Sequence, residues 1–203
     1  MEIKYRDIML RDWCFADIED EIRWANTDTD WIKADTPWED ISPADAEELQ
    51  EYITDCINNI PEDALRWRLE IEAEGRHIGF VCRYPLDEAY EPISFEEITA
   101  DTRLNWGLGV EICESAYWGR GLGTQALVAF LHYLKSRGLG GFCLETWSGN
   151  IRMIKCAEKI GFVVCKRQAG LREVEGVKYD GLTLSLNEEK FREFENQRGF
   201  MGD

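Results

Sequence analysis

The chain has 203 residues, 40 of them acidic and 23 basic, which gives a formal net charge of −17 at pH 7. Such a charge repels nucleic-acid phosphates and anionic membrane surfaces, so it argues against nucleic acid or membrane as a partner. With 44% hydrophobic residues, the chain is long enough to bury the core of a single domain, which we expect to span residues 1–203.

The cysteines and the start of the chain bear on its compartment. No two of the seven cysteines lie at C-x-x-C spacing, so the sequence indicates neither zinc nor redox use, and we expect no metal. The first ten residues, MEIKYRDIML, lack the basic start and apolar run of a signal peptide. No apolar stretch approaches the ~18 residues of a membrane span. We therefore expect a soluble, cytoplasmic protein with reduced thiols.

Hydrophobic periodicity and turn residues predict the elements in chain order. Strands are expected at residues 3–10, 66–72, 77–82, 104–113, 142–147, 163–171 and 177–186, and helices at 15–26, 42–57, 122–137, 150–162 and 188–197. Ser42 is expected to cap its helix, and Asn150 and Gly161 to begin and end theirs. The order predicts an α/β (α+β) fold, a mixed central sheet with helices on both faces.

Two connections are expected to lie near a substrate. RWANTDTDWIKADTPWED, at residues 23–40, holds three tryptophans and few aliphatic residues, so we expect a loop over an acceptor site. Residues 84–103 are expected to form a long connection, and such loops often cover a site. Its only base is Arg103, and its six acids are Asp87, Glu88, Glu91, Glu96, Glu97 and Asp101.

Three alternate glycines, Gly119, Gly121 and Gly123, directly precede the helix at 122–137. A helix N-terminus exposes unpaired N–H groups, and glycine removes the Cβ atoms that would keep a phosphate away from them. Arg120 adds a positive charge. The stretch therefore predicts a pyrophosphate cradle, although it matches neither the Walker nor the dinucleotide-binding pattern.

Two motifs in the sequence resemble those of the GCN5-related N-acetyltransferases. YWGRGLGTQAL, at residues 117–127, is similar to their motif A, Q/R-x-x-G-x-G/A, with Trp118 in the Q/R place. The branch that acetylates ribosomal-protein N-termini often has Trp-Gly-Lys/Arg-Gly here. TWSGNIRMIKCAEKIGF is similar to motif B, matched at Asn150, Glu158, Lys159, Gly161 and Phe162. The resemblance covers about residues 3–186, with motif A in about 104–137 and motif B in about 142–162.

The resemblance implies acetyl-CoA as the cosubstrate. Its pyrophosphate is expected on the N–H groups of Trp118, Gly119, Arg120, Gly121, Leu122, Gly123 and Thr124. Its pantetheine arm is expected to pair with the strand at Glu111, Ile112 and Cys113. An N–H of Ile112 or Cys113 would then hold the thioester oxygen as charge builds on it. Asn150 is expected on the cofactor side of the cleft as well as at its helix cap.

Amide formation from a thioester needs a group that accepts the amine's proton. Glu111 is the candidate base, because the strand's alternation places it on a face otherwise formed by small side chains. The alternative is a carboxylate that merely pairs with a base. The family's usual acids are missing, since the motif-B tyrosine and serine positions hold Ala157 and Met153.

Tyr117 and Tyr179 are the candidate substitutes for the missing acid. A thiol pKa of about 8.5 also allows the thiolate to leave without an acid. His77 and His132 lie outside both motifs, and we expect structural roles for them.

The sequence thus predicts an acetyl-CoA-dependent N-acetyltransferase in which a primary amine attacks the thioester directly. The acidic stretches favour a cationic acceptor, such as a polyamine, an aminoglycoside or a protein N-terminus. Two other classes stay open: a non-catalytic acetyl-CoA sensor, and an acidic interaction domain without a cofactor. A homodimer is also left open.

Overall fold

The computed structural model describes residues 1–99 and 102–197, so Asp101 of the acidic connection lies outside the described residues. The strands are β1 (Glu2–Tyr5), β2 (Ile8–Arg11), β3 (Arg68–Ala73), β4 (Arg76–Leu86), β5 (Asn105–Ile112), β6 (Phe142–Trp147), β7 (Phe162–Val174) and β8 (Val177–Leu186). The helices are α1 (Asp17–Asn26), α2 (Asp30–Asp35), α3 (Ala46–Asn59), α4 (Leu122–Ser136), α5 (Ile151–Ile160) and α6 (Glu188–Gln197). None of these helices is long and apolar enough to cross a membrane.

The strands form a mixed sheet in the order β1-β2-β3-β4-β5-β6-β8-β7, which confirms the predicted fold class. β5 pairs with β6 in parallel, whereas β6 pairs with β8, and β7 with β8, in antiparallel register. β1 pairs with β2, β2 with β3 and β3 with β4 in antiparallel register, and the three helices α1 to α3 lie in the connection between β2 and β3. A parallel neighbour requires a crossover, and α4 lies in the connection between β5 and β6.

The described chain divides into two compact units. The first unit holds Met1–Cys82 and Val110–Arg137, and the second unit holds the other described residues. In the first unit α4 packs against β1 and β2. Its buried face includes Leu127, Phe130 and Leu131, all fully buried, so it supplies much of that unit's apolar core.

In the second unit α5 packs against β7, α6 and β6. Gly161 ends α5 with φ +112°, as predicted, and its backbone lies so close to α6 that a Cβ would come within 2.7 Å of the Phe191 nitrogen. Only glycine fits there, since the position combines a positive φ with a close backbone approach.

Three element predictions are wrong in their details. Residues 3–10 are two strands rather than one, because Arg6, at φ +50°, turns the chain between them. α3 is capped by Asp45, whose carboxylate accepts hydrogen bonds from the N–H groups of Glu47 and Glu48, and not by Ser42. β4 continues to Leu86, so the acidic connection starts three residues later than predicted.

The tryptophan-rich stretch is also more ordered than the predicted loop. Trp24 lies within α1 and is 1% exposed, and Trp31 lies within α2. The Trp24 indole donates a hydrogen bond to Glu114 (2.9 Å), and the Trp31 ring packs edge-on against Phe80 at 6.0 Å. Tryptophans here replace the aliphatic residues whose scarcity suggested a loop.

Candidate active site

The glycine-rich loop of the first unit ends in an uncapped helix. Gly119 (φ +74°) and Gly121 (φ +79°) both adopt the left-handed conformation, and Gly121 occupies the N-cap position of α4. No side chain caps the helix, and a Cβ at either glycine would have open space within 4 Å. Since the first N–H groups of a helix have no acceptor within it, the N–H groups at this helix start are open to an anion.

Trp118 fastens this loop to the end of β5. Its indole N–H donates a 2.6 Å hydrogen bond to the Ile112 carbonyl, and its own backbone N–H donates to the Ser115 carbonyl at 3.1 Å. The N–H of Trp118 is therefore already bonded within the loop. The structure assigns Trp118 to positioning the loop.

Gly123 lies in the first turn of α4, directly over β5. A Cβ at this position would stand 3.7 Å from side-chain carbons of both Ile112 and Val110, which is an ordinary van der Waals distance. The first turn of α4 and the last residues of β5 are thus in close contact within the first unit. This contact puts the open helix N-terminus beside the strand that carries Glu111.

The last residues of β5 direct their backbone groups in alternate directions. The Cys113 N–H donates to the Ile78 carbonyl (2.9 Å) of β4, so the predicted thioester contact at Cys113 is occupied. Because alternate residues of a strand point their N–H groups to opposite sides, the Ile112 N–H points away from β4. Of the two predicted donors, the Ile112 N–H is therefore the remaining candidate.

Gly79 allows β4 to approach β5 at this point. A Cβ on Gly79 would stand only 1.9 Å from the Glu111 carbonyl oxygen, so no other residue fits without a backbone shift. The β3–β4 register also shifts next to it, with Ile71 opposite Gly79 and Glu72 opposite His77. A glycine inside a strand pattern was the sequence signal for this close approach.

Glu111 and Cys113 are predicted site residues whose pKa values lie well above their ordinary range, and Glu111 is the one proposed as a base. Burial of its carboxyl group and, after that, the negative charge of Asp35 raise the pKa of Glu111 well above its usual value. Both effects disfavour the ionised form, which makes the carboxylate a stronger base once it is deprotonated. Asp35, at the end of α2, was not predicted, although it belongs to an acidic stretch that was.

Tyr117 and Arg120 lie together at the outer end of the loop. The Arg120 guanidinium stacks over the Tyr117 ring at 4.9 Å and forms an ion pair with Glu74, in the turn between β3 and β4. Tyr117 also helps to lower the pKa of Glu74, after the larger effect of Arg120. Tyr117 thus lies near Glu74, and the structure gives no contact between its hydroxyl and Glu111 in the described chain.

Asn150 lies in the second unit, where its side chain caps α5. The amide oxygen accepts a 3.1 Å hydrogen bond from the Met153 N–H, and this confirms the predicted helix cap. Ala157, at the position of the family's tyrosine, is fully buried in the same helix. Tyr179 packs edge-on against Trp147 at 4.8 Å, a packing contact rather than an acid's hydrogen bond.

A buried ion-pair network underlies the first unit. Ligand atoms of Glu21, Glu70 and His77 lie within 4.8 Å of one another, but the Arg68 guanidinium pairs with both carboxylates. The cation that these acids surround is therefore an arginine, and the cluster is an ion-pair network.

The same unit has an open cavity of about 640 Å³ bordered by Tyr117. Several of its charged groups pair with each other, Arg11 with Asp17 at 2.6 Å and Arg23 with Glu114. We assign it no ligand, because these charges already have partners. Glu114 also binds the Trp24 indole, so it holds α1 to the end of β5, a role that sequence spacing gave no sign of.

His77 makes the network's stability depend on pH. Burial disfavours the charged imidazole, but the hydrogen bond to Glu70 (2.9 Å) and the charges of Glu70, Asp17 and Glu21 outweigh it and raise the pKa of His77. A pKa that is higher in the folded than in the unfolded state stabilises the fold. This stabilisation is fully present below the unfolded-state pKa of about 6.5 and is lost as pH rises through the folded-state pKa.

We therefore expect the wild type to lose thermal stability relative to His77→Gln as pH is raised from about 6 to 9. Each kcal/mol lost from the free energy of unfolding should lower Tm by about 2–4 °C. Thermal melts across this range measure it. The exposed His132, changed to Gln, serves as the control and should melt in parallel with the wild type. Parallel melts of His77→Gln and wild type would show that His77 does not titrate in the fold.

Comparisons with known proteins agree with the predicted family. The family model described as "Acetyltransferase (GNAT) domain" matches residues 7–163. Among curated proteins, no sequence matches the chain.

Solved structures with a similar fold include three acetyltransferases. The GNAT-family acetyltransferase from Bacillus anthracis is 15% identical, with a TM-score of 0.63, covering 93% of this chain and 99% of that one. RimL, the ribosomal L7/L12 alpha-N-protein acetyltransferase in complex with coenzyme A, is 13% identical, with a TM-score of 0.66 and coverages of 91% and 97%. The ribosomal-protein-alanine N-acetyltransferase from Brucella melitensis is 18% identical, with a TM-score of 0.62 and coverages of 87% and 97%. At these identities the similarity shows the fold.

Proposed function

Because the chain belongs to the GNAT acetyltransferase family, we propose that it transfers an acetyl group from acetyl-CoA to a primary amine. The observation that carries this proposal is the uncapped N-terminus of α4. It lies against the end of β5, beside Glu111, whose pKa is strongly raised. A helix terminus that can bind the cofactor's phosphates, next to a group that can accept a proton, would support direct attack of an amine on the bound thioester.

The cofactor's phosphates would bind at the glycine-rich loop. The open N–H groups of residues 119–123 and the positive end of the helix dipole favour a pyrophosphate, and Arg120 adds a cation at the rim. The Ile112 N–H would hold the thioester oxygen, since the Cys113 N–H is bonded to Ile78. RimL, of similar fold, was solved with coenzyme A, which supports this choice of cofactor.

Glu111 would accept the proton of the attacking amine, directly or through a water. Its burial near Asp35 keeps its pKa raised, and a base with a raised pKa takes a proton from an ammonium group more readily. The neutral amine then attacks the thioester carbon, the C–S bond breaks as the coenzyme A thiolate leaves, and the second amine proton passes to water or to that thiolate. The thiolate needs no protein acid at its ordinary pKa, so neither Tyr117 nor Tyr179 is required for this step.

A non-catalytic sensor of acetyl-CoA is the second candidate, favoured by the alanine and methionine at the usual acid positions. Incubation with acetyl-CoA and a panel of amines separates the two. Release of free thiol that depends on the amine, with an acetylated product found by mass spectrometry, supports the enzyme. Binding of acetyl-CoA without turnover on any amine supports the sensor, and no rise in Tm with acetyl-CoA contradicts both.

We also propose a cationic acceptor, drawn by the acids that precede the site. Residues 34–51 hold seven acids and no base, and one of them, Asp35, acts electrostatically on Glu111. Raising the salt from about 50 to 500 mM should therefore increase the KM for a cationic amine, because salt screens exposed charges. This increase should be several-fold larger than the increase in the KM for an uncharged acceptor analogue. Steady-state kinetics at several salt concentrations measure this. A preference for neutral or acidic amines would contradict it.

A further inference from the structure

The one cation of the glycine-rich loop is already paired with an acid. Arg120 forms a two-point ion pair with Glu74, one contact at 3.5 Å and the other closer. Both side chains are substantially exposed, Arg120 at 44% and Glu74 at 59%, so the pair lies in solvent at the mouth of the loop. An ion pair of this kind is weak enough to exchange partners.

A second carboxylate lies at the same rim. The Gln125 side chain, in the first turn of α4, holds Asp7 by two hydrogen bonds, from the Asp7 N–H (3.0 Å) and to the Asp7 carboxylate (2.9 Å). Asp7 is close enough to act electrostatically on both Glu74 and Arg120. The rim therefore carries two negative charges and one positive charge beside N–H groups that would bind a dianionic pyrophosphate.

We propose that Glu74 competes with the cofactor's phosphates for Arg120 and thereby limits the affinity for acetyl-CoA; this role rests on the proposed function. In the free protein Arg120 is neutralised by Glu74. When the pyrophosphate binds, Arg120 exchanges the carboxylate for a phosphate oxygen, and the released Glu74 remains nearby as a repelling charge. Glu74 is thus a specificity-determining residue that keeps weakly held anions out of the loop and allows the product to leave.

The chain contains a matched control for this residue. Glu74 and Gly75 form the turn between β3 and β4 with φ of +54° and +73°, and Glu175 and Gly176 form the turn between β7 and β8 with φ of +49° and +79°. The two turns therefore have the same residues in the same backbone conformation. Glu175 has no ion-pair partner among the described residues, so its replacement changes the charge and the turn equally without touching Arg120.

Calorimetric titration with acetyl-CoA tests the proposal on the full chain at about 20 mM salt. Glu74→Gln should lower Kd by about 2- to 10-fold, as expected for removing one exposed competing charge, and Glu175→Gln should leave it unchanged. Glu74→Asn, which suits a positive φ better, should give the same gain with the turn preserved. The gain should shrink toward nothing at 500 mM salt.

The double variant completes the experiment. Arg120→Gln should weaken binding, and Glu74→Gln should gain clearly less in the Arg120→Gln background than in the wild type, because the competition requires the arginine and only the direct repulsion by Glu74 then remains. Unchanged or weaker binding by both Glu74 variants would overturn the role of Glu74 and leave the cofactor assignment intact. An absence of binding by every variant and by the wild type would overturn the cofactor assignment, and the role of Glu74 with it.

Discussion

Replacing Glu111 by glutamine should lower turnover by about 10²–10⁴-fold, the usual contribution of a general base. Affinity for acetyl-CoA should barely change, because the substitution keeps the shape of the side chain and leaves the backbone of β5 in place. Turnover under saturating acetyl-CoA and calorimetric affinity for acetyl-CoA, measured on the same preparation, separate the two effects.

The pH profile identifies the proton acceptor. Since burial and Asp35 raise the pKa of Glu111, the wild-type rate should rise with pH along a limb that lies above the ordinary glutamate range. Glu111→Gln should lose this limb. Asp35→Asn, which removes the neighbouring negative charge, should move the limb to lower pH without abolishing it. A Glu111→Gln variant with near-normal turnover and an unshifted profile would mean that amines enter already neutral.

The same substitution should stabilise the protein above the ordinary pKa of glutamate. A raised folded-state pKa means that the folded state binds more protons than the unfolded state, so stability falls as pH rises from the unfolded toward the folded value. Glu111→Gln removes this loss. A higher Tm for the variant at neutral pH, disappearing near pH 4, would show that the fold bears a stability cost to keep this carboxylate buried.

Local sequence signals predicted much of the fold and of the cofactor side of the site. α4, α5 and the strand at 142–147 follow from periodicity, caps and terminal glycines, all of which lie within a few residues of the element that they define. The glycine-rich loop was predictable for the same reason, because Gly119 and Gly121 are local devices for a positive φ.

The rest depended on contacts between residues far apart in the chain. The bond from the Cys113 N–H to Ile78 and the ion pair of Arg120 with Glu74 join segments that share no sequence pattern. Burial of Trp24 depends on Glu114, 90 positions later, which accepts its indole hydrogen bond. Hydrophobic periodicity predicts which face of an element is buried, but not which polar groups form hydrogen bonds or ion pairs with each other across the sheet.

Placing a side chain on Gly121 should weaken acetyl-CoA binding by about 10- to 100-fold, equivalent to one or two hydrogen bonds to a charged group. Gly121 is the N-cap of α4 at φ +79°, so a valine there adds a branched side chain at the start of the helix, next to its open N–H groups in the chain, and also strains the backbone. The strain alone costs about 1–2 kcal/mol of stability, and it must be separated from the loss of the phosphate site.

Gly138, just beyond the other end of α4, provides that separation. It has nearly the same conformation, φ +82°, and its Cβ would also meet nothing within 4 Å. Gly138→Val should therefore lower Tm about as much as Gly121→Val while leaving acetyl-CoA affinity unchanged. Calorimetry and thermal melts on both variants measure this, and equal affinities in two equally destabilised, folded variants would show that the phosphates bind elsewhere.

Gly123 extends the series to a position without backbone strain. It lies in the first turn of α4, and a Cβ there would make ordinary 3.7 Å contacts with Ile112 and Val110. Gly123→Ala should therefore keep both stability and affinity near the wild-type values, since alanine also favours the helix. Gly123→Val should weaken acetyl-CoA binding several-fold, because its second branch has to point toward the phosphates or into β5. The affinity for acetyl-CoA should fall in the order Gly138→Val, Gly123→Ala, Gly123→Val, Gly121→Val, because the added side chains come progressively closer to the open N–H groups. If the affinities instead follow the Tm values, the glycines are required for folding alone.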